Sequence, residues 1–200
     1  MTTAPEHFDA LFASSDDPWQ FRSRWYEQRK RALTLAMLTC PRYGRAFEPG
    51  CANGELTAAL APRCDELLAW DLSERAVALA RQRLRAHAHV TVAQGAVPGD
   101  WPPGRFDLVV VSEMAYYLPL AAQQTLARRA AESLEPHGVL LACHWRRPLA
   151  DGNLEGAPLH AVLQAASGLA GIAHYHDDDM VLDAWSHDAR SVADREGLVS

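Results

Sequence analysis

The sequence predicts an α/β fold: a doubly wound, mostly parallel seven-stranded sheet that ends in an antiparallel hairpin. Three observations lead there. Apolar strand-like runs and helix-period segments alternate through residue 145, the rhythm of successive βαβ units. One run, Asp107–Ser112 (DLVVVS), is almost unbroken apolar text, as a strand covered on both faces requires. The last two strand-like runs are separated only by Asp177–Asp179, too short a link for a parallel crossover.

Taken in order, the first forty residues are polar and aromatic by turns, with helical character over Trp19–Leu38. Arg45–Glu48 is a short strand, followed by a glycine-bearing turn and a helix from about Asn53 to Ala61. Pro62 cannot continue that helix. Glu66–Asp71 (ELLAWD) reads as a buried strand. Ser73 then stands as N-cap for SERAVALARQRLRA, whose Ala76, Val77, Ala80 and Leu84 keep the helical period. Val90–Ala93 is a third strand, WPPG a loop, and Asp107–Ser112 the fourth strand. Leu120–Ser133 is helical, EPHG a turn, and Val139–Cys143 a fifth strand. A helix at Pro158–Ser167 precedes the hairpin of Ile172–His176 and Met180–Ser186. No repeat or linker divides the chain, so residues 1–200 are expected to form one domain, with a helical segment (1–40) preceding a core (41–200).

Composition narrows the function. Two hundred residues bury a substantial core without disulfides, and the four cysteines fall in no metal or redox spacing. They read as free thiols. No apolar stretch is long enough to span a membrane. The N-terminus lacks a basic start followed by an apolar core, so a cytoplasmic protein is expected. A net charge of −6 opposes an extended nucleic-acid surface. Arg24, Arg29, Lys30 (the only lysine) and Arg31 gather on one helical segment and read as a solvated face.

In a doubly wound sheet, ligands bind beyond the carboxyl ends of the strands, where the strand order reverses. Those ends are Glu48, Asp71, Gln94–Gly95 and Ser112–Glu113. Three of the four carry an acid, which suits a ligand rich in hydroxyl and ammonium donors and is poor for a polyphosphate. The turn itself, FEPGCANGEL (Phe47–Leu56), places Gly50 and Gly54 where nucleotide-binding loops need glycine, but Ala52 where the backbone of a dinucleotide fold must approach a pyrophosphate. A nucleoside without phosphates does not demand that approach. Asp71 follows the loop by about 20 residues, the distance of a ribose-hydroxyl acceptor. Taken alone, the two glycines fit an ordinary strand-to-helix turn equally well. Asp71 tips the balance.

These segments, DPWQFRSRWYEQRKR (Asp17–Arg31), FEPGCANGELT (Phe47–Thr57), LLAWD (Leu67–Asp71), FDLVVVSEMAYYL (Phe106–Leu118) and SLEPHGVLLACHW (Ser133–Trp145), resemble class I S-adenosylmethionine-dependent methyltransferases, which have a Rossmann-like fold. More narrowly they resemble the nodulation protein S family of small-molecule N-methyltransferases, from about Asp9 to Ser186. The resemblance implies S-adenosylmethionine as cofactor, S-adenosylhomocysteine as product, and a small acceptor such as an amino sugar. It implies that Glu48, Gly50, Cys51 and Gly54 surround the methionine part, that Asp71 takes the ribose hydroxyls and that Leu72 flanks adenine. Tyr26, Gly95, Ala96, Ser112 and Glu113 complete the implied cofactor set, under a cap formed by residues 1–40. The acid this class usually places after the third strand is Ala96 here. Backbone groups around Gly95–Val97 are expected to serve instead.

Methyl transfer from a sulfonium is an in-line displacement, so positioning contributes most, ~7–11 kcal/mol. An amine acceptor must be unprotonated, and a nearby carboxylate or imidazole can orient it and take its proton. Glu113 and His144, both at strand outlets, are the candidates, with Tyr116 or Tyr117 lining the opening. Trp19, Trp25 and Tyr26 would form either an aromatic lid for a sulfonium or ordinary helix packing. His174-x-His176-Asp177 reads as hairpin and turn rather than a metal site. Three other readings stay open: an O-methyltransferase, a cofactor-binding domain without activity, and, disfavoured by Ala52, an NAD-linked enzyme.

Overall fold

The computed structural model describes residues 5–148 and 156–199. Seven strands form one sheet: β1 (Tyr43–Pro49), β2 (Cys64–Asp71), β3 (Val90–Gln94), β4 (Phe106–Ser112), β5 (Leu134–Trp145), β6 (Ala170–His176) and β7 (Met180–Ser186). Their order is β3-β2-β1-β4-β5-β7-β6. The first five run parallel, and β7 lies antiparallel to both β5 and β6. This is the predicted doubly wound sheet with its terminal hairpin. The order reverses between β1 and β4, so a crevice opens where their carboxyl ends part.

The helices are α1 (Pro5–Ser14), α2 (Trp25–Ala36), α3 (Glu55–Leu60), α4 (Glu74–Leu84), α5 (Leu120–Ser133), α6 (Gly156–Ser167) and the short α7 (Val192–Arg195). Local chemistry sets their ends. The Ser73 hydroxyl accepts the Ala76 N–H at 3.3 Å to begin α4, and Pro62 lies in the tight turn that stops α3. Both faces of the sheet are covered. Phe47, Phe106, Val109 and Leu140 pack toward α5 and α6, while Leu67, Leu108, Val110 and Leu141 pack against Leu60 and Leu38. Among the described residues, no helix is long and apolar enough to cross a membrane.

Three local expectations change. Helix α1 was not foreseen, and α2 begins at Trp25 rather than Trp19. The Asp17 carboxylate accepts the Phe21 and Arg22 N–H groups at 2.8 and 3.1 Å, which holds residues 17–22 in a turn. The turn expected at EPHG is instead an irregularity within β5, where the register slips between Phe106 and Leu108 of the neighbouring strand.

Candidate active site

A cavity of about 710 Å³ lies at the carboxyl ends of β1, β2 and β4. The loop after β1 forms its floor. Gly50 adopts φ 77° and Ala52 φ 49°, and the Gly50 and Cys51 N–H groups donate to the Trp70 carbonyl at 2.7 and 2.9 Å. A Cβ on Gly50 would stand 2.9 Å from Met114 Cγ, so this backbone passes too close to the β4 loop for any side chain. Gly54 (φ 81°) has a different role from the one expected. It does not line the cavity; a Cβ there would meet Ala80 and Leu84 at 3.2 Å. Its smallness lets the loop pack on α4.

Two acids frame the loop. Asp71 is nearly buried, and backbone donors fix its carboxylate: Ala52 N–H on Oδ2 and Ser73 N–H on Oδ1, each at 2.9 Å. Burial pushes its pKa up, and those hydrogen bonds oppose the shift. Glu48 is 2% exposed, borders the cavity, and has no hydrogen-bond partner for Oε2 among the described residues. Burial pushes the Glu48 carboxyl up to about 8. A buried carboxyl with an unused oxygen is set to receive a cation. Cys51 lies beside them, its thiol raised well above the ordinary value by burial and the Asp71 and Glu48 charges.

The opposite wall holds a buried ionic network. Lys30 Nζ lies 2.9 Å from Glu113 Oε1 and 2.9 Å from Glu27 Oε2. Burial disfavours its charge, but the Glu113 and Glu27 carboxylates outweigh that effect and hold the ammonium pKa above its ordinary value. The expected solvated face is therefore corrected at this residue, which is 6% exposed. Glu113 itself adopts φ 55°. Its Oε2 accepts the Tyr116 hydroxyl and, at 3.2 Å, the Trp145 N–H. Both oxygens of this carboxylate are thus already engaged, one by an ammonium and the other by two further donors.

Other sequence-predicted residues divide clearly. Tyr26, Cys51, Leu72, Gly95, Ala96, Ser112, Tyr116 and Tyr117 all line the cavity with Glu48, Gly50, Asp71 and Glu113. His144 does not. It is fully buried behind Tyr116, with its ring 5.2 Å from that ring, so it cannot reach a substrate proton. Trp25 is 73% exposed and forms no lid, while Trp19 and Tyr26 do face the cavity. Near Ala96 two backbone N–H groups are engaged within the loop: Gly95 N–H bonds the Asp71 carbonyl at 3.0 Å, and Ala96 N–H bonds Asp100 Oδ2 at 2.9 Å. Among the described residues no group of three or more side chains could hold a metal.

Phe8 and Phe12 also line the cavity and were missed. Phe8 meets Tyr117 edge-on at 5.1 Å, and Phe12 meets Trp19 at 5.5 Å. Their i, i+4 spacing in PEHFDALF would have put both on one helix face. Asn53 Nδ2 ties this segment down by donating to the Asp16 carbonyl (3.1 Å) and to Asp17 Oδ1 (3.2 Å).

A family model described as nodulation protein S (NodS) matches residues 10–142. The nodulation protein S of Sinorhizobium fredii is 34% identical over 127 residues, 62% of this chain and 59% of that protein. That of Bradyrhizobium diazoefficiens is 32% identical over 130 residues, 63% and 61% of the two chains. The chain thus spans about three-fifths of the length of these curated relatives. Among solved structures, a candidate methyltransferase from Pseudomonas syringae is 49% identical with a TM-score of 0.73, covering 82% of this chain and 99% of that one. The N-methyltransferase NodS from Bradyrhizobium japonicum, solved with S-adenosyl-l-homocysteine, has a TM-score of 0.78 at 23% identity, covering 90% and 96%. That second likeness is one of fold.

Proposed function

The chain belongs to the nodulation protein S family, and from that premise we propose that it is an S-adenosylmethionine-dependent methyltransferase that N-methylates a small amine, such as an amino sugar. One observation carries the reading. Asp71, fixed by two backbone donors, and Glu48, with an oxygen unused, flank a loop whose Ala52 suits a ligand without phosphates. That donor set fits the cofactor: Asp71 would accept the ribose hydroxyls, and Glu48 would receive the α-ammonium of the methionine part. Gly50 and Cys51 bring the backbone close, while Leu72, Gly95 and Ala96 border the adenine end. Residues 5–40 act as a cap, with Phe8, Phe12 and Tyr26 excluding water from the cavity. When bound, the cofactor would supply an electrophilic methyl group on a sulfonium.

The Glu113 network favours an amine over a hydroxyl. A neutral amine attacks through its lone pair and loses its proton afterwards, whereas a hydroxyl needs a base during attack. Glu113 has Oε1 taken by Lys30 and Oε2 by Tyr116 and the Trp145 N–H, so neither oxygen is free to receive a hydroxyl's proton. The Tyr116 oxygen, having donated its hydrogen to Glu113, presents lone pairs that accept an amine N–H and aim the nitrogen. Glu113 and Tyr116 therefore orient, and solvent takes the proton after transfer.

Labelled S-adenosylmethionine incubated with matched amino and hydroxyl compounds tests the reaction. Methylation of the amine is expected; faster methylation of the hydroxyl analogue would make the enzyme an O-methyltransferase. Calorimetry tests the ligand: S-adenosylhomocysteine should bind and NAD should not, and the reverse result overturns the reading.

A further inference from the structure

A chain of imidazoles runs from behind the cavity to the surface. His144 on β5 accepts the Ala115 N–H on Nε2 at 3.4 Å. Its Nδ1 lies 2.8 Å from His160 Nε2 on α6, and His160 Nδ1 lies 2.6 Å from Asp183 Oδ2 on β7. The other Asp183 oxygen meets exposed His174 Nδ1 at 2.6 Å, which continues to His176 at 2.9 Å. His144 and His160 are both buried.

The direction of each hydrogen follows from the two ends. A ring nitrogen that accepts carries no hydrogen, so His144 holds its hydrogen on Nδ1 and donates to His160 Nε2. His160 then carries its own on Nδ1 and donates to Asp183, a carboxylate that only accepts. Burial and the neighbouring His160 keep His144 neutral. One carboxylate thus selects both tautomers. The chain ends on a backbone N–H, so it passes no proton to the cavity.

What it does hold is Ala115, the first residue of the tight turn Ala115–Tyr117. Tyr116 in that turn donates to Glu113, and its ring packs edge-on against His144. We propose that Asp183 is a positioning residue for this site. Through His160 and His144 it fixes the nitrogen that anchors Ala115, and with it the placement of Tyr116 beside Glu113. With the other His144 tautomer, an Nε2–H would face the Ala115 N–H, and the turn would have to move. The kinetic part of this inference rests on the methyltransferase reading; the tautomers do not.

Long-range proton–nitrogen spectra of imidazole-labelled protein should show His144 and His160 both protonated at Nδ1 alone. Asp183→Asn keeps the shape and removes the charge. It should mix the tautomers of both rings, shift the Ala115 amide signal, and lower turnover by ~10–100-fold, the scale on which a misplaced site loses rate. S-adenosylhomocysteine affinity should stay as it was, and Asp183→Glu should recover part of the turnover. The inference is overturned by a wild-type His144 protonated at Nε2. It is equally overturned by an Asp183→Asn protein that melts lower yet turns over normally. If wild-type protein methylates no acceptor, the methyltransferase reading fails, and the spectra still decide the tautomers.

Discussion

Lys30 and Glu113 form an ion pair of 2.9 Å whose side chains are 7% and 17% exposed, and Glu27 completes it from the other side. Removing one partner of such a pair strands the other in a poor solvent, at a cost of ~3–5 kcal/mol. Lys30→Met should therefore lose that much in urea denaturation. Because the folded Lys30 pKa is raised, its contribution is complete below the unfolded value of ~10.4 and fades only as pH rises through the higher folded value. The difference between the two proteins should be flat across neutral pH and shrink in strong alkali.

Glu48 predicts a dependence of the same sign at lower pH, reaching into neutrality. Its folded value of about 8 exceeds the ordinary 4.5, so the folded protein binds this proton more tightly than the unfolded chain. Its favourable contribution is full below about 4.5 and is lost as pH rises through about 8. Glu48→Gln should flatten that loss in stability measured between those pH values. A cationic ligand meeting Glu48 should expel the proton. Calorimetry of S-adenosylhomocysteine at pH 7 in buffers of different ionisation enthalpy should register proton release, absent in Glu48→Gln.

Asp71→Ala should weaken cofactor binding by ~2–4 kcal/mol, the loss of a charged acceptor in a partly buried site. The Ala52 N–H would lose its partner as well, so the loop should become more mobile. Titration of S-adenosylhomocysteine into the folded variant measures the loss.

Much of the cavity lining was legible because the backbone turns that shape it leave residue-type signatures. Asp71 ends a strand at the right distance from the loop, and Ser112–Glu113 closes an unbroken apolar run. The terminal hairpin showed in its short connection. Lys30 was misread because its partners are remote in sequence: Glu113 lies 83 residues away, and a local pattern of basic residues looks the same whether one of them turns inward. His144 was misplaced for a related reason. Its strand position points to the outlet, but the pleat and the packing of His160 turn its ring into the core. Phe8 and Phe12 were overlooked in a segment that looked irregular beside the stronger core signals.

The orienting roles proposed for Glu113 and Tyr116 can be separated kinetically. Tyr116→Phe removes one hydroxyl that bonds a charged group, worth ~1.5–3 kcal/mol, so turnover should fall ~10–100-fold with cofactor affinity spared. Glu113→Gln should also reduce turnover, and in addition should melt lower, because Lys30 loses an anion. In both proteins, rate should still rise with pH as the acceptor amine deprotonates. Unchanged turnover in both would remove these residues from the reaction.

The burial of the chain's single lysine also turns Lys30 into a built-in reporter. Amine-directed acylating reagents need an uncharged, accessible nitrogen, and Lys30 offers neither while its ion pairs are closed. Apart from the terminal amino group, no other side chain competes for the label. The mass of one lysine-containing peptide then follows how often the chamber wall swings open. A ligand that seals the chamber should slow that tagging, with no probe engineered into the protein.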